Sequence, residues 1–415
     1  MRLNRYTLLA FLIFGSMIAS TTYLGDYTHL RQYTALIILI FLMIDFVRQF
    51  KYYLQFKKVN LILAAFCICV FISGIVNANI TNRDTFLISM VYIINISVAF
   101  LSFEYFAIRG KVREVLRIYY YLLLAAVILN DLLSLIAPSL VQRYDNMYLL
   151  GNKFGAGSLR LLASAFAFSC KKPKQGWLLI VWSVVMALVT DVITMFIGTL
   201  VIALMLLLPP QLRRFTQRIW IAMAVLAFCS LVLVLYEGIM KVTVVNQVVN
   251  YFEKEKTFGS RLYIYSVIMP IIAKRPIFGY GYNNSYPILI MRGIQNTQNG
   301  VMENFFQFGY LGGAIFLLLV FSTMRRSFQG NKKECYPLYA LIITYFVMSS
   351  VEICLSVNFL LVLAGMMVLS TMDDENKEEY MEAEEKEPED DETEEPEESD
   401  AKGEFLFPCP VSEDE

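Results

Sequence analysis

Long apolar stretches separated by short polar connections fill residues 1–236 and return after residue 303. Their lengths are close to the roughly 20 residues that an α-helix needs to cross the hydrocarbon core of a bilayer. Lipid cannot hydrogen-bond a free backbone, so such segments must be helices or strands of a closed barrel, and runs this long favour helices. The pattern predicts an all-α, polytopic membrane protein with about twelve transmembrane helices.

The predicted spans leave one long polar connection, between the ninth and tenth helices. Transmembrane helices one to nine occupy 1–236, the loop 237–303, helices ten to twelve 304–372, and a tail 373–415. The predicted spans are 6–23, 32–48, 59–77, 86–107, 118–137, 155–170, 176–190, 192–208, 219–236, 304–323, 337–351 and 353–371.

Lysine and arginine are concentrated in every second connection. The basic positions lie at 2–5, 48–58, 109–117, 171–174, 213–218 and 325–333. Basic connections stay in the cytoplasm, so both termini are expected there, and the large loop is expected outside.

The tail concentrates the acidic residues of the chain. Residues 373–415 hold 22 of the 36 acids and 3 of the 35 bases, which leaves 32 bases against 14 acids in the rest. Such a tail buries too little apolar surface to fold, and we expect it to be disordered, as a solubilising segment or a docking site. The net positive charge of residues 1–372 suits binding to anionic lipid surfaces and phosphate-bearing substrates.

The large loop is also basic, against the positive-inside trend. Its bases are Lys241, Lys254, Lys256, Arg261, Lys274, Arg275 and Arg292. They predict an electropositive cleft for phosphate or pyrophosphate, although a long loop also translocates largely regardless of charge. Residues 261–272 have the spacing of an amphipathic helix, which either lies along the membrane or packs on the bundle. Pro276 and the residues after it should break this helix.

The loop and the segment after it carry a recognisable set of residues: Arg261, Pro276, Gly279, Gly281, Gln298, Asn299 and Gly309. In order they match an arginine that opens a loop helix, a P-x-x-G-x-G stretch, a His-Asn pair and a glycine ten residues later. On these residues the chain resembles the O-antigen ligase and polymerase (Wzy-like) superfamily of membrane glycosyltransferases. Residues 151–166 also resemble an earlier outer loop of capsule-type polymerases.

The resemblance implies an enzyme that joins sugars outside the cytoplasm. A glycan would leave its polyprenyl pyrophosphate carrier, such as undecaprenyl pyrophosphate, and be transferred to a sugar hydroxyl of another lipid-linked repeat unit. Gln298 stands where the ligase branch has a histidine that is thought to assist the acceptor hydroxyl, and glutamine cannot act as a general base. This departure favours a repeat-unit polymerase over a ligase.

Pyrophosphate is a good leaving group, so such a site mainly needs cations and close positioning of the acceptor. The predicted catalytic residues are Arg261 on the pyrophosphate, Gln298, and Glu303 as a base. The predicted binding residues for pyrophosphate or glycan are Arg160, Lys274, Arg275, Arg292, Tyr280 and Asn299.

Several of these residues could equally have a structural role. Glu352, Asp191 and Asp145 are further candidate bases, and each, like Glu303, also fits an interfacial salt bridge or turn. Loop tyrosines fit stacking on sugars or anchoring at the interface. Arg160 lies near the outer end of a span, where placing a charged side chain in the bilayer costs free energy. This cost is tolerated if Arg160 is paired, if it has a function, or if its side chain snorkels to the interface. Asp131 within the fifth predicted span is expected to pair with a cation inside the bundle.

No cofactor and no metal are expected, since the seven cysteines and the single His29 form no ligand pattern. The expected partners are the lipid-linked oligosaccharide, the lipid bilayer, and a chain-length regulator or other polysaccharide-assembly proteins, but no nucleic acid. The expected location is the bacterial cytoplasmic (inner) membrane.

Three other functions fit parts of the pattern. A ligase that attaches glycan to a lipid or protein acceptor would use the same loop. A secondary transporter or lipid-linked sugar flippase would also have about twelve spans, but it would place its charges at membrane mid-depth and leave internal repeats. A membrane scaffold has only the acidic tail in its favour.

Overall fold

The computed structural model describes residues 4–17, 28–81, 84–137, 147–148, 150–231, 264, 267–294, 296–329 and 332–371. The helices in these ranges are α1 (Arg5–Met17), α2 (Thr28–Arg48), α3 (Phe50–Tyr53), α4 (Lys57–Val76), α5 (Thr85–Ile108), α6 (Val112–Ile136), α7 (Lys153–Ser169), α8 (Pro173–Val189), α9 (Ile193–Leu207), α10 (Pro210–Thr216), α11 (Ile219–Leu231), α12 (Ser285–Leu289), α13 (Gly300–Ser327), α14 (Lys332–Met348) and α15 (Val357–Leu369). Turns of 3₁₀ helix follow α3 and α12, at Leu54–Phe56 and Ile290–Arg292. One antiparallel hairpin precedes α7, formed by β1 (Met147–Tyr148) and β2 (Gly151–Asn152).

A helix lies in each of the twelve ranges predicted from the apolar pattern. Five segments of the described chain are long and apolar enough to cross a membrane: Leu30–Arg48, Phe50–Val76, Thr85–Ile108, Val112–Ile136 and Gly300–Ser327. Five shorter apolar helices, α1, α8, α9, α15 and most of α11, accompany them. The predominantly helical, membrane-type fold is therefore confirmed, whereas the count of twelve spans and the outward position of the large loop stay predictions.

The centre of the bundle is formed by α15, in which every residue from Phe359 to Leu369 is buried. It packs against α5, α13 and α14. Outer helices instead expose large apolar side chains, such as Ile37 on α2 (67% exposed) and Leu178 on α8 (69% exposed). A surface of this kind is stable facing lipid hydrocarbon and would aggregate in water.

Three of the helices that matter most for the site begin at side-chain caps. Asp84 accepts the backbone N–H of Leu87 at the start of α5, and Asn152 accepts that of Gly155 at the start of α7. Asn299 accepts two N–H groups at the start of α13. Each cap satisfies backbone donors that the first helical turn cannot pair internally.

Candidate active site

Helix α13 bends sharply at Gly309, where φ is 68° and ψ is −173°. The bend interrupts the helical hydrogen-bond ladder, and the P-x-x-G-x-G loop supplies the missing partners. Three backbone hydrogen bonds join loop and bend: Tyr280 N to Phe306 O at 3.0 Å, Gly281 N to Gln307 O at 2.8 Å, and Tyr310 N to Pro276 O at 2.6 Å. Buried backbone groups in a membrane protein need such internal partners.

Glycine is required where the loop and the helix meet. Gly279 has a φ of +61°, and a Cβ there would lie 2.5 Å from the backbone nitrogen of Gly309. Gly309 has a φ of +68°. A Cβ added there would collide with the carbonyl group of Ile277 and would lie 2.7 Å from the backbone nitrogen of Gly279. The two backbones approach too closely for any side chain, which gives these glycines of the sequence motif a structural role.

Helix α4 holds the loop from the opposite side. The Ser73 hydroxyl lies 2.6 Å from the carbonyl oxygen of Phe278 and 3.1 Å from that of Gln307. One turn further on, Asn77 accepts a hydrogen bond of 2.6 Å from Nη1 of Arg275. The loop, the bend of α13 and α4 are thus joined at one place.

A cavity of about 350 Å³ lies beside this junction. Most of the residues that line it carry polar groups, including Tyr92, Tyr282, Asn283, Asn296, Ser285, Glu303, Asn304 and Gln307, while Ile353 and Leu355 are apolar. Amides, hydroxyls and a carboxylate can donate to and accept from many hydroxyl groups at once. The arrangement suits a small segment of carbohydrate better than an apolar ligand.

Glu303 is the carboxylate of this cavity, and it is 3% exposed. The hydroxyl of Thr297 donates to its Oε2 at 2.7 Å, and Nε2 of Gln307 donates to its Oε1 at 2.5 Å. Both partners orient the carboxylate. A carboxylate held in this way, facing a cavity, has the geometry of a general base.

The other candidate bases do not line this cavity. Asp191 lies in the turn between α8 and α9 with a φ of 52°, and Glu352 lies between α14 and α15. Asp145 lies outside the described residues. Of the three candidate bases that the structure describes, Glu303 is the one at the cavity.

Aromatic rings form one wall of the cavity. Tyr92 of α5 and Tyr282 of the loop stack with their ring centroids 4.1 Å apart. Burial raises the pKa of Tyr282 to about 12, the Glu303 carboxylate adds to this shift, and the charge of Arg31 opposes it. The Tyr282 phenol therefore keeps its proton at neutral pH and can donate a hydrogen bond. The sequence pattern gave no sign of Arg31 and Tyr92, because they lie 251 and 190 positions before Tyr282.

Gln298 and Asn299, which match the His-Asn pair, stand directly before α13. Gln298 is half-buried with a φ of 48°, and its backbone nitrogen donates to Oδ1 of Asn296. The Asn299 side chain is fully buried and accepts from the nitrogens of Val301 and Met302 at 3.0 Å each. Asn299 thus caps α13, while its role in glycan binding stays a prediction.

The predicted binding residues of the loop differ in exposure. Arg275 is half-buried, bonded to Asn77 and 5.5 Å from the ring centroid of Tyr280. Lys274 and Arg292 are exposed. Tyr280 is buried: its hydroxyl donates to Ile271 O and its ring stacks on Phe306 at 5.0 Å. That ring is thus occupied by protein contacts, while Tyr282 and Tyr286 line the cavity.

The loop helix packs on this same region of the protein. Residues 267–274 form a further helical segment in addition to α1–α15, and this segment ends before Pro276, as predicted. Ile268, Ile271 and Ile272 are buried in an apolar cluster with Leu289, Ile294 and Phe306, whereas Met269 is 47% exposed. The described part of this amphipathic segment thus packs against protein, the second of the two arrangements that its spacing allowed.

Arg160 lies away from the cavity in a buried ion pair. Its Nε and Nη2 donate to the two carboxylate oxygens of Asp131 at 2.8 and 3.0 Å, and Nε1 of Trp182 donates to Asp131 as well. The pairing predicted for Asp131 within the bundle is confirmed. Arg160 itself, 3% exposed, is paired with this carboxylate, and its role on pyrophosphate stays a prediction.

Arg261 and Tyr263 lie outside the described residues, as does the acidic tail. Within the described ranges, no three histidine, cysteine, aspartate or glutamate side chains are grouped to hold a metal ion.

Comparison with known proteins gives one family match. Residues 178–317 match the model of the O-antigen ligase family, a range that includes the loop, the bend of α13 and Glu303. No curated protein matches the chain. Together with the apolar helices, the match indicates a membrane protein that is similar, over this range, to the O-antigen ligase family. The resemblance to the O-antigen ligase and polymerase superfamily is thereby confirmed, since the matched range contains all of the loop residues on which it was based.

Proposed function

We propose that this protein is an oligosaccharide repeat-unit polymerase for a surface polysaccharide. It transfers glycan from a polyprenyl pyrophosphate carrier to a sugar hydroxyl of another lipid-linked unit. The observation that carries the proposal is the buried carboxylate of Glu303, held by two hydrogen bonds at a polar cavity inside the family-matched region.

Glu303 is the base in this proposal. The acceptor hydroxyl enters the cavity, its oxygen forms a bond to the anomeric carbon of the donor, and its proton passes to a Glu303 oxygen. The bond between the anomeric carbon and the phosphate oxygen breaks, and its electron pair leaves with the carrier pyrophosphate. Gln307 and Thr297 keep the carboxylate oriented throughout, which is the positioning that such a reaction requires.

Cations stabilise the departing pyrophosphate. Arg261 is the first candidate, from its position in the sequence motif, and Lys274, Arg275 and Arg292 add positive charge along the same loop. Arginine is suited to this role because its planar guanidinium binds two phosphate oxygens at once. The catalysis needs no metal ion or cofactor in this proposal.

The glycan is recognised by the polar and aromatic lining of the cavity. Asn283, Asn304 and Gln307 offer amides to sugar hydroxyls, and Tyr286, which is 47% exposed, offers a ring face. The Tyr282 phenol donates a hydrogen bond close to Glu303.

The cell-biological part of the proposal follows from charge and chemistry. The protein spans the bacterial inner membrane with both termini in the cytoplasm, and the loop meets lipid-linked oligosaccharide at the outer face. A chain-length regulator or other assembly proteins are the proposed protein partners.

A ligase is the alternative function, because the matched family model describes an O-antigen ligase. The two activities share donor chemistry and differ in the acceptor. Gln298 in place of the histidine of the ligase branch favours the polymerase.

A glycan ladder tests the proposal. The gene is deleted in its own host, and lipid-linked and surface polysaccharides are resolved by size. A single accumulating repeat unit, with the ladder restored by the intact gene, is expected for a polymerase. Long lipid-linked chains without attached glycan would instead identify a ligase, and repeat units trapped inside the cell would identify a flippase.

Variants then test the site itself. Glu303→Gln keeps the size of the side chain and removes the base, so we expect polymerisation to slow by about 10²–10⁴-fold. The control is Glu114→Gln, the same change at a carboxylate on α6 that pairs with Lys111 and does not line the cavity. A normal ladder from well-expressed Glu303→Gln protein would exclude Glu303 as the base.

A further inference from the structure

A second cavity, of about 320 Å³, lies away from the candidate active site. It is formed where α7 ends, α8 begins, α9 ends and α14 begins, with α10 at its side. The residues that line it are Phe168, Pro173, Trp177, Leu206, Arg213, Lys333, Tyr336 and Pro337. These helix ends carry the basic connections that are predicted to face the cytoplasm.

The charged side chains that line this cavity are both cationic, Arg213 and Lys333. Arg213 is fixed at the end of α9, because its Nε donates to Leu208 O at 2.7 Å and its Nη2 donates to Leu206 O at 2.5 Å. Its guanidinium carbon lies 5.0 Å from the ring centroid of Tyr336. In the described part of the chain, no carboxylate lies within ion-pair distance of Arg213, so its charge remains available to an anion.

The nearest acid in the sequence does not neutralise this cavity. Glu334 follows Lys333, but both of its carboxylate oxygens accept from Arg113 at about 3.0 Å, and Lys171 lies 4.0 Å away. Glu334 is not among the residues that line the cavity. Glu334 therefore does not neutralise Arg213.

The rest of the lining is apolar and aromatic. Phe168 and Trp177 meet edge to face with their ring centroids 5.5 Å apart, and Leu206 closes the wall. Beside the cavity, α10 and the start of α11 expose Leu212 (48%), Phe215 (45%) and Trp220 (54%). Exposed aromatic residues at helix ends mark the level of the membrane interface.

We propose that this cavity binds the headgroup of an anionic phospholipid from the surrounding bilayer. Arg213 and Lys333 contact the phosphate, and an acyl chain lies along the apolar wall near Trp177. Cationic side chains next to an apolar wall favour a lipid over a soluble anion. A site for a soluble phosphate would need the cations but not the apolar wall or the exposed aromatic residues beside it. Basic pockets between helix ends are the general form of such lipid sites.

The test measures lipid retention by the full-length protein with native mass spectrometry in detergent. Phosphatidylglycerol and cardiolipin are each offered in competition with phosphatidylcholine. We expect preferential retention of the anionic lipids, and about fivefold weaker retention in Arg213→Ala, the change that one lost cationic contact produces. The matched control is Arg214→Ala, an exposed neighbour on α10 that does not line the cavity.

Two further variants separate binding from folding. Arg213→Lys keeps the charge while giving up part of the anchoring of α9, and it should retain most of the lipid preference. Lys333→Gln changes an exposed side chain and should weaken retention in the same direction as Arg213→Ala. Equal retention by wild type, Arg213→Ala and Lys333→Gln would overturn the proposal.

Competition identifies the occupant. Displacement of bound lipid by millimolar inorganic phosphate would overturn the proposal in favour of a phosphate site. Displacement by a stoichiometric synthetic peptide of residues 373–415 would overturn it in favour of the acidic tail. Lipid that resists both competitors while remaining sensitive to Arg213→Ala supports the lipid site.

Discussion

The bend of α13 offers the sharpest test of how the loop is held. Replacing Gly309 by alanine places a Cβ on the carbonyl of Ile277, in a backbone region at φ 68° and ψ −173° that is essentially restricted to glycine. The backbone strain alone costs roughly 1–3 kcal/mol. Either the loop or the helix must then move, since the atoms that meet the Cβ belong to backbone.

Displacement of the loop adds to this cost. Three backbone hydrogen bonds cross the junction, and each contributes about 1 kcal/mol. Gly309→Ala should therefore destabilise the junction by roughly 4–6 kcal/mol, a large part of the total stability of a typical protein. Because Gln307 lies two residues before the bend and orients Glu303, polymer formation should also be lost.

Gly293→Ala is the matched control. Gly293 also has a positive φ, of 72°, but among the described residues no atom beyond its chain neighbours lies within 4 Å of the place that an added Cβ would take. This variant adds only the cost of a left-handed residue, about 1–2 kcal/mol. The assays are thermal unfolding of the purified protein in detergent and the length distribution of the glycan in cells. Equal losses in the two variants would refute the close docking of loop and bend.

Three further predictions concern other parts of the molecule. Arg261→Ala should abolish polymer while the protein remains abundant in the membrane, and normal polymer would remove Arg261 from the mechanism. Asn283→Cys should react with an impermeant thiol reagent on intact cells, unlike the wild type; labelling only after lysis would reverse the predicted topology. Asp131→Asn should lower stability by about 3–5 kcal/mol, since it leaves the buried charge of Arg160 unpaired, and an unchanged unfolding midpoint would contradict this.

The apolar pattern alone located twelve of the helices that the structure describes. A helix lies in each of the twelve predicted ranges, because lipid forces a spanning backbone to satisfy its hydrogen bonds locally. The end of the loop helix before Pro276 was also predictable, since proline restricts the residue before it and removes a backbone donor. These are consequences of neighbouring residues, which a sequence contains directly.

The spacing of glycines in the loop marked the family, but it did not reveal what the glycines do. Gly279 and Gly309 are 30 positions apart, and only the tertiary structure shows that their backbones touch. The same holds for Ser73, which binds the loop from α4 across more than 200 residues.

Tertiary structure also decided which candidate residues share a site. It placed Glu303, Tyr282, Gln307 and Tyr92 around one cavity, and it enclosed Arg160 with Asp131 elsewhere in the bundle. The sequence shows the chemical character of each side chain. Which carboxylate faces a cavity, and which arginine is already neutralised, depends on contacts between distant helices, and residue order does not contain that information.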